Sequence, residues 1–302
     1  MRGRLRVLVL LSAVCLLVFA GVASAANFRV FLITMDQMDQ HWVTVDAGAK
    51  KAAEELGNVT YRWLAPDVKD DAKQIESINN AVASGADAIL LAANGPTAVT
   101  AALREATAAG VKIIYVDSPA DFPGEQTLAT DNEAAGKTAG LELKKALESK
   151  GITSGKIGIV NVNAATASTV LRERGFRAAF EGTNFQILET QYGEGDAAKS
   201  KDIAANYITQ GVVGIFGANE GSTVGTGNAI KEAGGNVLGV GFDKSNTILQ
   251  LIKEGHLIAT MAQNPDVMGY EGMKAAVAVL EGKTLEAEYV DTGVSVLTKD
   301  KI

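Results

Sequence analysis

Short apolar runs alternate with amphipathic stretches along nearly the whole chain. "FRVFLIT" (28–34) gives way to "VDAGAKKAAEELG" (45–57), "VTYRWLA" (59–65) to "DAKQIESINNAVASG" (71–85), and "ADAILLA" (86–92) to "AVTAALREATAAG" (98–110). "VKIIYVD" (111–117) and "TLAT" (127–130) close this first series. A second opens with the long helical stretch 132–151. It continues through apolar runs at 156–162, 185–192 ("FQILETQY"), 212–218, 236–243 and 258–263, with helical patterns at 168–182, 196–211, 222–235 and 247–255. A helix over 265–283 and one last strand near "YVDTGVSVL" (289–297) end the chain. Continuous apolar runs predict strands buried on both faces, and a 3.6-residue period closed by Gly predicts the helices between them. The expected fold class is α/β, with two doubly wound, Rossmann-like parallel-sheet lobes. Ligands of such sheets lie at the carboxyl ends of the strands, so two facing lobes make a cleft lined by strand-end loops. With no low-complexity or Pro-rich linker, the lobes must be joined by short hinge segments.

Composition agrees with this picture and narrows it. The 302 residues are 47% hydrophobic and 21% charged, enough for one large α/β domain or two medium ones with real cores. Residues 1–25 read as an export signal: Arg2, Arg4 and Arg6, an apolar stretch from Val7 to Val22, then "ASA" as a cleavage site. Cys15, the only cysteine, lies in that stretch, so the mature chain is expected to carry no disulfide, thiolate metal site or cysteine nucleophile. Loss of the three arginines takes the formal charge from −7 to −10, which gives no electrostatic reason to grip nucleic acid or anionic lipid.

The candidate chemistry sits where strands end. "DQMDQHW" (36–42) follows the first strand and brings Asp39, His41 and Trp42, with Asp36 and Gln37 expected as solvated loop residues. The third strand ends in Asn94, the fourth in Asp117 and Ser118, and the fifth in Thr130, Asp131 and Asn132. In the second series Arg172 falls at the start of a helix. Asn219 and Glu220 follow "VVGIFGA", Phe242 and Asp243 end "NVLGVGFD", and Gln263 ends "IATMAQ". Asp39, Asp117, Asn132 and Asp243 could equally serve as N-caps, each worth about 1 kcal/mol. As a set, planar carboxylates, amides and one guanidinium can pair adjacent hydroxyls while an aromatic face covers a sugar's C–H face. That suits a polyhydroxylated neutral ligand better than an anion.

Competing chemistry is weaker. "GEGDAA" (193–198) fits a dinucleotide fingerprint and lies one glycine short of a P-loop, but no acid falls about twenty residues on for a ribose. A Gly turn with Asp196 as N-cap is the expectation. There is no G-x-S-x-G elbow and no H-E-x-x-H. A carboxylate pair such as Asp39 and Asp117 leaves a secreted cleft glycosidase as the rival from another class.

"RERGF" (172–176), "VGFD" (240–243), "ATMAQNPDVMG" (259–269) and "ATDNEAAGKTAG" (129–140) carry a family resemblance. The chain resembles the type I periplasmic solute-binding proteins of ABC sugar importers, specifically the ribose-binding-like group. The resemblance implies lobes of residues 26–130 plus 264–291 and 131–263 plus 292–302, with hinge crossings near 130, 263 and 291. It implies that Asp39, His41, Trp42, Asp117, Arg172, Asn219, Phe242, Asp243 and the hinge residue Gln263 meet the sugar. Ser118 stands where ribose binders carry a second arginine, and His41 replaces a phenylalanine, which widens the expected ligand to a pentose, hexose or polyol. "VDSPAD" (116–121) is similar to the branch that binds furanosyl signals of the autoinducer-2 type, an alternative ligand class. No enzyme activity, cofactor or metal is implied. The implied partners are an ABC permease, its ATPase indirectly, and a chemoreceptor as a second candidate reader, with the protein a monomer in the periplasm.

Overall fold

The computed structural model describes residues 27–302, so the export signal expected over 1–25 and Cys15 lie outside the described residues. Among the described residues the chain builds two sheets. The first holds β1 (Phe28–Ile33), β2 (Val59–Leu64), β3 (Ala88–Leu91), β4 (Lys112–Val116), β5 (Gln126–Ala129) and a late strand, β12 (Tyr289–Asp291). Its order is β12-β5-β4-β3-β1-β2, with every pair parallel. The second holds β6 (Ser154–Asn161), β7 (Asn184–Ile187), β8 (Gln191–Tyr192), β9 (Val212–Gly217), β10 (Leu238–Phe242), β11 (Ala259–Gln263) and β13 (Val294–Thr298). Its order is β13-β11-β10-β9-β6-β7, with β8 also on β6.

The continuous apolar runs are explained by double coverage. In β3, Ala88 and Leu90 face a core shared with α1 (Gln40–Leu56) and α9 (Pro265–Leu280), whereas Ile89 and Leu91 face α2 (Asp71–Ala83) and α3 (Thr100–Ala108). Alternate residues of one strand thus feed opposite cores. The second sheet is covered likewise by α4 (Asn132–Ser149) and α5 (Ala167–Ala178) on one face, and by α6 (Ala197–Thr209) and α7 (Glu220–Glu232) on the other. The remaining helix, α8 (Asn246–Glu254), packs on α7.

In each lobe helices touch backbone to backbone through glycine. A Cβ on Gly48 of α1 would lie 2.1 Å from the Asp266 carbonyl oxygen of α9, and one on Gly136 of α4 would lie 2.1 Å from that of Arg172 in α5. Gly136→Ala must therefore push α5 and Arg172 outward. We expect a fall of about 5 °C in melting temperature, from roughly 1–3 kcal/mol of overpacking; an unchanged thermal melt would contradict this tight crossing.

Three departures from the sequence expectations have local causes. "FQILETQY" is two strands, not one: Leu188–Thr190 intervene, and Thr190 turns its hydroxyl to Glu173 instead of continuing the ladder. "YVDTGVSVL" is also two, because Gly293 at φ 80° turns the chain out of the first sheet and into the second. The sheets are not wholly parallel either: β13 returns through that turn and pairs antiparallel with β11. The chain passes from one sheet to the other's layers after β5, after β11 and between β12 and β13.

Candidate functional site

The carboxyl ends of β4 and β10 deliver the two central groups. Asp117 and Asp243 follow these strands at φ 63° and 72°, in the left-handed region that aspartate tolerates better than most residues. Both are buried, and they converge on His41 at the start of α1. His41 Nε2 lies 3.1 Å from Asp117 Oδ2, without the alignment of a hydrogen bond, and Nδ1 lies 3.5 Å from Asp243 Oδ1. Gln263 at the end of β11 donates to Asp243 Oδ1 at 2.6 Å and accepts from Thr130 Oγ1 at 2.8 Å, tying together two of the sheet-to-sheet passages.

Arg172 is fixed from every side. Its Nε donates to Asn132 Oδ1 at 2.8 Å, Nη1 donates to the Ala218 carbonyl at 3.0 Å, and Cζ sits 4.2 Å above the Phe242 ring. Nη2 has no hydrogen-bond partner and lies 3.8 Å from Asp117 Oδ2. Both of its N–H groups are therefore unspent. Arg172 lies in the second turn of α5 rather than at its start, because the helix begins at Ala167.

These groups surround a cavity of about 20 Å³, room for one water and far below the roughly 300 Å³ or more of a small-molecule site. Asp39, His41, Trp42, Asp117, Arg172, Asn219, Asp243 and Gln263 line it. The other residues singled out from sequence stand behind: Phe242 under Arg172, Thr130 on Gln263, and Ser118 Oγ accepting from the Ser168 amide at 3.4 Å. The Asn94 carbonyl accepts from Thr166 Oγ1 at 2.7 Å, and its buried Oδ1 is unpaired. Trp42 is only 4% exposed; it meets His41 edge-on at 4.6 Å, and its indole Nε1 has no partner.

The structure corrects several local readings. Asp36 is not a solvated residue: it is 2% exposed, accepts from the Met38 and Asp39 amides, and bonds Lys69. None of the four proposed caps accepts a cap bond. The Asp39 carboxylate goes to Lys69 instead, at 2.9 Å. Asp117 precedes no helix, Asp131 caps α4 ahead of Asn132, and Ser245 caps α8 ahead of Asp243. Asp196 does cap α6, at 2.7 Å. The glycines before it serve close approach: a Cβ on Gly195 would meet the Lys69 side chain at 2.8 Å.

Lys69, Met35 and Thr166 line the cavity and were not singled out from sequence. The only hint of Lys69 was one positive charge among the acids of "PDVKDD" (66–71). Burial opposes its charge, but Asp39 and Asp36 hold its pKa above the usual value. Burial raises the Asp39 carboxyl, with Lys69 pulling against it. For His41, burial is outweighed by the carboxylates of Asp243 and Asp117, which hold it at about 8. Asp117 stays low despite its burial because His41 and Arg172 favour its ionised form. The cleft is thus a paired network of carboxylates and cations, with unspent hydrogen-bonding capacity on Arg172, Asn94 and Trp42.

Such a network between two strand-end faces defines a two-lobed α/β binding protein. Residues 30–284 match the model of the periplasmic binding protein domain, and the chain belongs to that family. It is 29% identical to the ribose import binding protein of Haemophilus influenzae, spanning 92% of this chain and 94% of that one. It is 25% identical to the D-allose-binding periplasmic protein of Escherichia coli, spanning 89% and 90%. A carbohydrate transporter solute-binding protein of Agrobacterium radiobacter, in complex with D-arabinose, superposes with a TM-score of 0.87 at 31% identity, covering 92% of this chain and 96% of that one. All three are named as binding proteins, two of them as parts of an import or transport system.

Proposed function

We propose that this protein is exported by its first 25 residues and captures a small neutral sugar, a pentose, hexose or polyol, between two closing lobes for an ABC importer. The lobes are residues 26–130 plus 264–291 and 131–263 plus 292–302, hinged near 130, 263 and 291. The observation that carries the reading is the meeting of Asp117 from one lobe with Arg172 and Asp243 from the other around a single cavity. Carboxylates now paired with His41 and an unspent guanidinium donor are the groups that adjacent hydroxyls engage, and only closed lobes bring all of them to one ligand. The ribose, allose and arabinose binders among its relatives support the ligand class. The permease reads the closed surface, and a monomer suffices for this cycle.

Calorimetry and thermal shift against pentoses, hexoses, polyols and furanosyl diols test the reading. A raised melting temperature with the sugar unconsumed is the expected result; turnover of the sugar would make it an enzyme instead. Trp42→Phe gives a second test. Of the two tryptophans, Trp63 commits its indole to Thr34 Oγ1, whereas Trp42 lines the cavity. We expect this variant to lose most of the sugar-induced fluorescence change while affinity falls less than about tenfold, since an aromatic face remains. A full fluorescence change in the variant would remove Trp42 from the site.

A further inference from the structure

Helix α1 begins without a cap of its own. The Asp39 side chain, at the N-cap position, makes no cap bond and pairs with Lys69. The first amide groups of the helix are satisfied from the other lobe: Gln40 N donates to Glu220 Oε1 at 3.1 Å and His41 N to Oε2 at 3.0 Å. Glu220 is itself the first residue of α7, so the amino ends of two helices, one from each lobe, meet on one buried carboxyl group. It does not line the ligand cavity, although its neighbour Asn219 does. Parting the lobes must break both bonds and leave these helix ends to solvent.

We propose that Glu220 is an inter-lobe clasp: its contact with the amino terminus of α1, made without touching the sugar, sets how readily the cleft closes and how slowly its sugar leaves. This rests on the closing-lobe reading above and adds a positioning residue to it, because Glu220 acts through the placement of His41 and Trp42.

The surroundings of the clasp make it responsive to pH. The ionisable groups facing it are Asp39, just before α1, His41 in its first turn and Asp243 from the loop after β10; Lys69, from the loop after β2, holds Asp39. Burial, then Asp39 and Asp243, push the Glu220 carboxyl up to about 7 against the opposing pull of the His41 and Gln40 amides. In parted lobes it returns toward the ordinary value of 4.5. A group whose pKa is higher in the closed form takes up a proton on closing. Its contribution is therefore full below the open value and is lost as pH rises through the closed one. The protonated acid keeps one oxygen as acceptor for α1 and no longer opposes the neighbouring aspartates as a charge. His41 titrates with the same sign but higher, between 6.5 and about 8, and burial raises Asp39 as well, so the share of the slope that belongs to the clasp is the part lost in a Glu220 variant.

The test uses paired spin labels at Asn80→Cys on α2 and Ala205→Cys on α6, both exposed positions in a mature chain expected to lack cysteine. Without sugar, the closed-to-open ratio of the otherwise unchanged protein should fall on the order of tenfold from pH 5.0 to 6.5. Glu220→Gln, a neutral mimic of the protonated acid, should hold near the parent's pH 5.0 ratio and lose most of that slope. Glu220→Ala should shift toward open at both values and release sugar about tenfold faster. Unaltered distances and sugar release in Glu220→Ala overturn the clasp, as does a full pH slope in Glu220→Gln or an open distribution at both pH values in the parent. If distances respond as stated but no sugar binds, the clasp stands and the sugar reading fails.

Discussion

Arg172→Leu should lower the melting temperature by about 10 °C and abolish detectable sugar binding. The side chain is 2% exposed and carries a charge that three neighbours are arranged to hold. Leucine leaves the Asn132 carboxamide oxygen and the Ala218 carbonyl without their donors, takes the cation off the Phe242 face, and leaves buried Asp117 without its one permanent cation. Removing one partner of a buried charge network costs roughly 3–5 kcal/mol, which at this chain length gives a shift of that size. Arg172→Lys separates stability from recognition. It keeps the charge but not the planar fork, so it should regain part of the stability and little of the affinity. Calorimetric melts beside sugar titrations check both. A leucine variant that melts like the parent and binds sugar would mean that the network is not what holds α5 against the cleft.

Asp243→Asn is the complementary case: a large loss of binding with little loss of fold. Asparagine is the replacement of choice because the residue sits at φ 72°, where alanine would add backbone strain to whatever the carboxylate contributes. The amide oxygen still accepts from Gln263, now 2.6 Å from Oδ1, so the joint beside Thr130 survives. What disappears is a charged acceptor for sugar hydroxyls and the counter-charge of His41. Hydrogen bonds to a charged group are worth about 1.5–3 kcal/mol each, so two of them lost or weakened predict roughly a hundredfold or greater drop in affinity. The melting temperature without sugar should move by only a few degrees. The reverse pattern, unstable protein with normal affinity, would assign Asp243 to the Gln263 joint alone.

The fold was more legible in the sequence than the chemistry around the cleft. Runs such as "ADAILLA" and "VKIIYVD" carry their strand signature locally because both faces of the sheet are buried. The polar residues at their ends stand out against that background, which is why Asp117 and Asp243 could be singled out at all. Their alternative role as caps could not be dismissed locally, since a capping aspartate and one turned into a cleft share the same neighbours in sequence. Backbone dihedrals and the presence of Asp131 and Ser245 decide it. Lys69, Asp36 and Glu220 were misjudged or passed over for another reason. Their significance lies in partners that periodicity does not report, across a strand connection for the first two and across the lobes for Glu220. The two split strands were missed because breaks as short as Leu188–Thr190 and Thr292–Gly293 leave the strand-like residues on either side nearly adjacent in sequence.

Helix α9 has a consequence for how the chain comes to be folded. Met268, Met273 and Ala276 complete the core that Val45 and Ala49 begin, and β12 supplies the outer neighbour of β5. The first sheet's half of the molecule therefore cannot finish until nearly the whole chain has been made, while residues 131–263 lack only their antiparallel edge strand. Pairings that join such distant parts of a chain form slowly, since the long loop must close first. The half synthesised first thus depends on the helix synthesised last to close its core.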